Sequence, residues 1–323
     1  MIKVSIIVPI YNAGSRLREC LETLINQTLR DIEIICVLDC PTDGSEKIVE
    51  KFAATDGRIK LIYNETNLHI AESRNKGLAL AQGEYIGFSD HDDTRALNMY
   101  EKLYLESQKN LCDIVFSNSY IKADKSLQKM TYRDATKQGV ISSIILPMEH
   151  KKNSNCLSKS VWASLYKREF LKKNNIAFLD RRIFYEEDTL FNLKAFLCTN
   201  EISFCKDVLY CWHKDKNSES STIISHEENV NRQLHFIRQM SDLLILHNAM
   251  PLYKKEMEIL ISDLLNTLFP FFRSLPNEKM IILQKTLKDC SFSIFGNYVK
   301  LKIVSKKRFK LIVFVASLYF KRF

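Results

Sequence analysis

Short apolar runs recur along the first 120 positions, and segments with helical spacing lie between them. Residues 4–9 form a nearly continuous apolar run, the pattern of a strand buried on both faces. Residues 16–27 place Leu17, Cys20, Leu21, Leu24 and Ile25 on one helical face. The alternation continues with strands expected at 32–38, 59–63, 84–88 and 113–118. Helices are expected from a Thr42 or Asp43 cap to about 54, at 71–81, and at 97–107. Helices of this length between short strands predict a mostly parallel sheet flanked by helices, an α/β architecture.

Residues 120–160 are polar and irregular apart from an apolar patch at 140–146, and read as a loop-rich insertion over the site. Segments 162–171 and 188–197 have helical spacing, and 201–210 looks extended. Three purely helical segments follow near 227–248, 251–273 and 277–290. The pattern divides the chain into an α/β domain at 1–225, a helical region at 226–299 and a tail at 300–323.

The composition of the 323 residues, 46% hydrophobic and 26% charged, is that of an ordinary globular chain. The formal charge of +9 is concentrated: residues 300–323 hold eight basic residues and no acidic one. The rest is nearly neutral, which argues against a nucleic-acid surface. Basic flanks around a short apolar block at 311–320 suit a peripheral anchor on anionic lipid, whereas a final core helix is the plainer alternative. The N-terminus lacks the small-residue site of a secretory leader. The nine cysteines show no Cys-x-x-Cys spacing, so reduced thiols and a cytoplasmic location are expected, which with the tail's anchor places the chain at the inner membrane face.

Ligands of parallel sheets bind beyond the carboxyl ends of the strands. Those ends carry Tyr11 and Asn12; Asp39; Asn64 and Asn67, followed by Arg74; then Asp90, His91, Asp92 and Asp93. A ring, a carboxylate, a guanidinium and an acidic cluster are what a nucleotide with its phosphates and a metal ion requires. Carboxylates this close repel unless neutralised, and a hard divalent cation neutralises them. A solvated acidic turn is the alternative reading of the cluster alone.

These motifs, in this order and spacing, resemble family 2 glycosyltransferases. The resemblance rests on Val4–Asn12, Asp39 with Thr42-Asp43-Gly44-Ser45, Asn67 through Ser73-Arg74-Asn75-Lys76-Gly77, Gly83-Glu84-Tyr85-Ile86 and Asp90-His91-Asp92-Asp93. It continues through Trp162, Tyr166-Lys167-Arg168 and Glu187-Asp188-Thr189-Leu190-Phe191-Asn192, covering roughly residues 3–222.

The resemblance implies a GT-A fold and inverting transfer of a sugar from a nucleotide-sugar donor, UDP-linked, to a hydroxyl of a glycan or lipid-linked glycan. It implies that Tyr11 stacks the base, Asp39 hydrogen-bonds it and Arg74 reaches the nucleotide or diphosphate. Pro9, Asn12, Asn67 and His91 line the same site. Asp90 meets the ribose and metal shell, Asp92 holds Mn²⁺ or Mg²⁺, and Asp188 is the general base beside Glu187. His213 is a candidate third metal ligand, with a partly buried polar residue as the alternative. Two departures stand out: Cys40-Pro41 replaces the usual Gly-Ser, and His69 replaces a usual Gly, which bears on any positive φ there. A noncatalytic glycan- or membrane-binding protein on the same fold and a nucleotidyltransferase are the competing readings. Intact acidic residues argue against the first, and the lack of a glycine-rich phosphate loop after strand one argues against the second.

Overall fold

The computed structural model describes residues 1–123, 126–132, 134–147, 159–184, 186–214, 226–268 and 277–289. The expected tail at 300–323 lies outside the described residues. So do most of the insertion's second half, residues 269–273 of one expected helix and residue 290 of another.

The strands are β1 (Val4–Ile10), β2 (Ile32–Leu38), β3 (Ile59–Tyr63), β4 (Tyr85–Phe88), β5 (Thr94–Arg95), β6 (Ile114–Ala123), β7 (Ser126–Met130), β8 (Ser164–Lys167) and β9 (Ile202–Lys214). The helices are α1 (Leu17–Ile25), α2 (Ser45–Thr55), α3 (His69–Leu80), α4 (Met99–Asn110), α5 (Lys137–Ile145), α6 (Arg168–Lys173), α7 (Glu187–Cys198), α8 (His226–Leu246), α9 (Lys254–Leu268) and α10 (Asn277–Asp289).

The strands form one sheet in the order β3-β2-β1-β4-β8-β6-β9-β5, with β7 added on β6. β1 pairs in parallel with β2 and β4, and β2 with β3. Every residue of β1 and β2 is buried, as their continuous apolar runs require. β8 is antiparallel to both β4 and β6, and β9 is parallel to β6. The carboxyl ends of β1, β2, β4, β6 and β9 therefore share one edge of the sheet.

Helix α1 sets Leu17, Cys20, Leu21 and Leu24 into a core shared with β1 and β2. A second cluster joins β4, β8 and α7: Phe178 stacks on Phe191 at 4.2 Å, and Phe88 meets both edge-on. This aromatic layer lies under the site.

Two expectations need correction. Segment 162–171, read as a helix, is strand β8 followed by α6. Strand β8 is buried along Ser164, Leu165 and Tyr166, so no polar alternation marks it, and a short apolar run looks alike in both periods. Within the expected loop-rich insertion, β6 extends into a hairpin with β7, and the apolar patch belongs to α5.

The chain divides into two compact units. The first carries the sheet with α1–α4, α6, α7 and nearly all of α5. The second carries α8–α10, in which Arg238 of α8 is ion-paired with Asp242 on the same helix and, at 2.6 Å, with Asp289 of α10. No helix among the described residues is long and apolar enough to cross a membrane.

Candidate active site

The loops after β1 and β2 lock together. The Oδ1 of Asn12, at φ +44°, accepts from the Thr42 amide at 2.7 Å. The Gly14 amide donates to Asp43 at 2.8 Å, and the Ala13 amide to Ser45 at 3.0 Å. Asn12 thus shapes the loop, and its neighbour Tyr11 is left with 38% of its surface exposed, open to a stacking base.

Asp39 ends β2 almost fully buried. Its Oδ1 accepts from Asn64 Nδ2 and from the Leu68 amide, both at 2.7 Å. Asn64 also donates to Ser73 at 3.0 Å, which fixes the carboxylate against the start of α3. Asn67 closes a turn by accepting from the His69 amide at 3.0 Å. His69 has φ +65°, so the backbone adopts the left-handed conformation that usually calls for glycine despite the side chain. His91 Nδ1 lies 3.1 Å from the Pro9 carbonyl, which only accepts, so Nδ1 carries the proton.

The centre of the site is Arg74 of α3, 1% exposed. Its Nη2 donates to Asp90 at 2.8 Å, and its Nη1 donates to Glu187 at 3.3 Å and to Asp188. Its guanidinium lies 5.1 Å from the Phe178 ring centroid. Arg181 Nε stands 3.7 Å from the other oxygen of Glu187. Glu187 and Asp188 open α7, where the helix dipole favours negative charge. Burial pushes the Asp188 carboxyl up to about 7; Glu187 and Asp90 add to this, and Arg74 opposes it. A carboxylate titrating near neutrality is matched to accepting a proton there.

The acidic turn splits by direction. Asp93 faces inward, fully buried, with Tyr210 donating to Oδ2 and the His213 amide to Oδ1, each at 2.7 Å. It anchors β9 to the turn and is no part of an open acidic cluster. Tyr210 stacks on Trp162 at 4.4 Å. Below the turn, buried Arg95 donates to Ser89 and to the Asp93 carbonyl, both at 2.8 Å, so one guanidinium pins both flanks of Asp90–Asp92.

Asp92 has no ion pair among the described residues, and burial with the Asp90 charge raises its pKa. The carboxylates of Asp90 and Asp92, on one turn, form a hard-oxygen donor set. Mg²⁺ and Mn²⁺ take one or two such groups together with substrate phosphates. Asp90 and Asp92 therefore fit a divalent ion. His213 directs Nε2 to Thr94 Oγ1 at 2.9 Å, and burial lowers its pKa. No three His, Cys, Asp or Glu side chains among the described residues close a metal site by themselves.

The structure thus brings Arg74, Asp90, Glu187 and Asp188 together, with Asp92 two residues from Asp90. Asp39 and Tyr11 stand at neighbouring strand ends. Phe178, Arg181, Arg95 and Tyr210 were not singled out by the sequence. Phe178 and Tyr210 act through contacts far apart in sequence, with Arg74 and Asp93, whereas Arg181 and Arg95 hold groups two to six residues away that no motif marks.

The profile of the family described as "Glycosyl transferase family 2" matches residues 5–175. A Bacillus subtilis protein described as "Uncharacterized glycosyltransferase EpsJ" is 35% identical over 219 residues, 67% of this chain and 62% of that protein. A Borreliella burgdorferi "Cholesterol galactosyltransferase" is 31% identical over 265 residues, 78% of this chain and 72% of that protein. Among solved structures, S. aureus TarS 1-349 in complex with UDP-GlcNAc superposes with a TM-score of 0.66 at 24% identity, covering 92% of this chain and 83% of that one. This likeness establishes the fold as GT-A-like.

Proposed function

Because the chain belongs to glycosyl transferase family 2, we propose that it moves a sugar from a UDP-linked donor to a hydroxyl of a growing bacterial surface glycan, with inversion. The observation that carries the reading is the convergence on Arg74 of Asp90, from the metal-fit turn, and Asp188, the candidate base.

Tyr11 stacks the base and Asp39 hydrogen-bonds it. Asp90 and Asp92 would hold a divalent ion, which when bound stabilises charge on the departing nucleoside diphosphate. Asp188 accepts the proton of the acceptor hydroxyl as its oxygen attacks the anomeric carbon. The bond from that carbon to the diphosphate oxygen breaks, and the electron pair leaves with the nucleotide. One base on the face opposite the leaving group gives in-line displacement and inversion. Arg74 orients Asp188 and offsets its charge. The UDP preference draws support from the S. aureus TarS 1-349 complex with UDP-GlcNAc. The basic flanks around the apolar block at 311–320 support a peripheral location at the inner membrane face.

The test is nucleotide release from a panel of UDP-, GDP- and CMP-sugars with Mn²⁺ or Mg²⁺, alongside Asp92→Ala and Asp188→Ala. Metal-dependent release from one donor, abolished in both variants, establishes the reading. Failure of any nucleotide to bind overturns it.

A further inference from the structure

At the shared carboxyl edge of the sheet, beside the acidic turn, lies a cavity of about 280 Å³. Its walls include Glu19 of α1, Thr94 of β5, Tyr120 and Lys122 of β6, Leu127 of β7 and His213 of β9. None of the Arg74 partners lines it. Thr94 and His213 tie it to the turn: their side chains share a hydrogen bond, and the His213 amide holds Asp93.

The charges of this cavity define what it can take. Glu19 and Lys122 bring one carboxylate and one ammonium. Neither has an ion-pair or hydrogen-bond partner among the described residues. An anionic ligand meets Glu19, and a cationic one meets Lys122. A neutral molecule rich in hydroxyls suits both, donating to the carboxylate and accepting from the ammonium. The half-buried Tyr120 ring and Leu127, 61% exposed, add apolar surface of the kind that packs on the C–H face of a sugar ring. The volume lies at the small end of ligand pockets, the scale of a single ring rather than a nucleotide.

We propose that this cavity is a sugar subsite that seats one neutral pyranose of the acceptor glycan. The word acceptor rests on the transferase reading above; the binding of a neutral sugar does not. The pocket therefore contributes to acceptor selection from the side of the turn remote from Arg74.

The test uses saturation-transfer NMR on the full chain with methyl glycosides of glucose, galactose and N-acetylglucosamine at high millimolar concentration. UDP binding is measured on the same wild-type sample. Expected is saturation of at least one glycoside by the wild type, weakened about ten-fold in affinity in Lys122→Ala and in Glu19→Gln, the scale of one hydrogen bond to a charged group. Both side chains are exposed, and unchanged melting temperatures show that the variants fold. Saturation of no glycoside, or equal saturation in wild type and variants, overturns the subsite. Absence of UDP binding in the same sample overturns the UDP-linked donor and leaves the subsite result standing.

Discussion

Arg74, itself buried, is ion-paired with Asp188 across 114 positions of sequence. The same guanidinium holds Asp90 through its other terminal nitrogen. The two carboxylates are thereby fixed to one rigid plane. A planar fork performs this bridging, and a point charge cannot.

Arg74→Met leaves three carboxylates around an uncharged side chain. A loss of about 3–5 kcal/mol is expected, the scale for breaking a buried ion pair. Arg74→Lys keeps the charge and loses the fork, so kcat falls more than stability does. Thermal melts and steady-state rates on both variants check this. A lysine variant with wild-type kcat refutes the orienting role.

The Asp188 carboxyl, raised to about 7, predicts a rate that climbs with pH and levels off above that value. Asp188→Asn removes the climb and about 10²–10⁴-fold of rate. Stability runs in the other direction. Between the unfolded carboxyl's value of about 4 and the folded value, the native state binds the extra proton, so stability falls as pH rises. The melting temperature of Asp188→Asn relative to wild type should therefore rise from pH 4 to pH 8. A constant difference contradicts the burial argument.

Gly77 and Gly83 are glycines for want of space. A Cβ on Gly77 would stand 2.5 Å from Ile7 Cγ2, a side chain that can shift. A Cβ on Gly83 would stand 2.5 Å from the Ser5 backbone nitrogen, which cannot. Gly77→Ala is expected to cost about 1–3 kcal/mol, the range for overpacking, and Gly83→Ala more. Chemical denaturation of both variants gives the order directly.

His69 has a left-handed backbone at φ +65°. Relief of this conformation by His69→Gly is expected to stabilise by up to about 1 kcal/mol, less the entropy that glycine adds to the unfolded chain. A lowered melting temperature shows that the imidazole makes contacts that outweigh the backbone.

Strands β1, β2 and β3 were legible nearly to the residue, because each is an apolar run bounded by turn residues and helices of clear period. β8 was not, because a four-residue strand with three buried residues in a row carries no period that separates strand from helix. At the site, Asp39 and Asp90 stood out because each follows a strand, Asp188 because it lies in the first turn of a helix, and Arg74 because its motif lies on the helix after the third strand. Their partners did not. Phe178 lies in an irregular segment and meets Arg74 from far along the chain, and the inward turn of Asp93 is decided by Tyr210 and the His213 amide, also far along the chain. Long-range pairing of this kind leaves no mark on local sequence.

The separation of Arg74 from Asp188 also sets an order of events at the ribosome. At ~5–20 residues per second, Asp188 emerges on the order of ten seconds after Arg74. Through that interval β1–β4 are available to pair, with Asp90 as the nearby partner for the guanidinium. Helix α7 comes last to the cluster, bringing both of its carboxylates at once. A nascent chain can thus pair β1–β4 around Arg74 and Asp90 early, while Asp188 joins only near the end of the unit's synthesis.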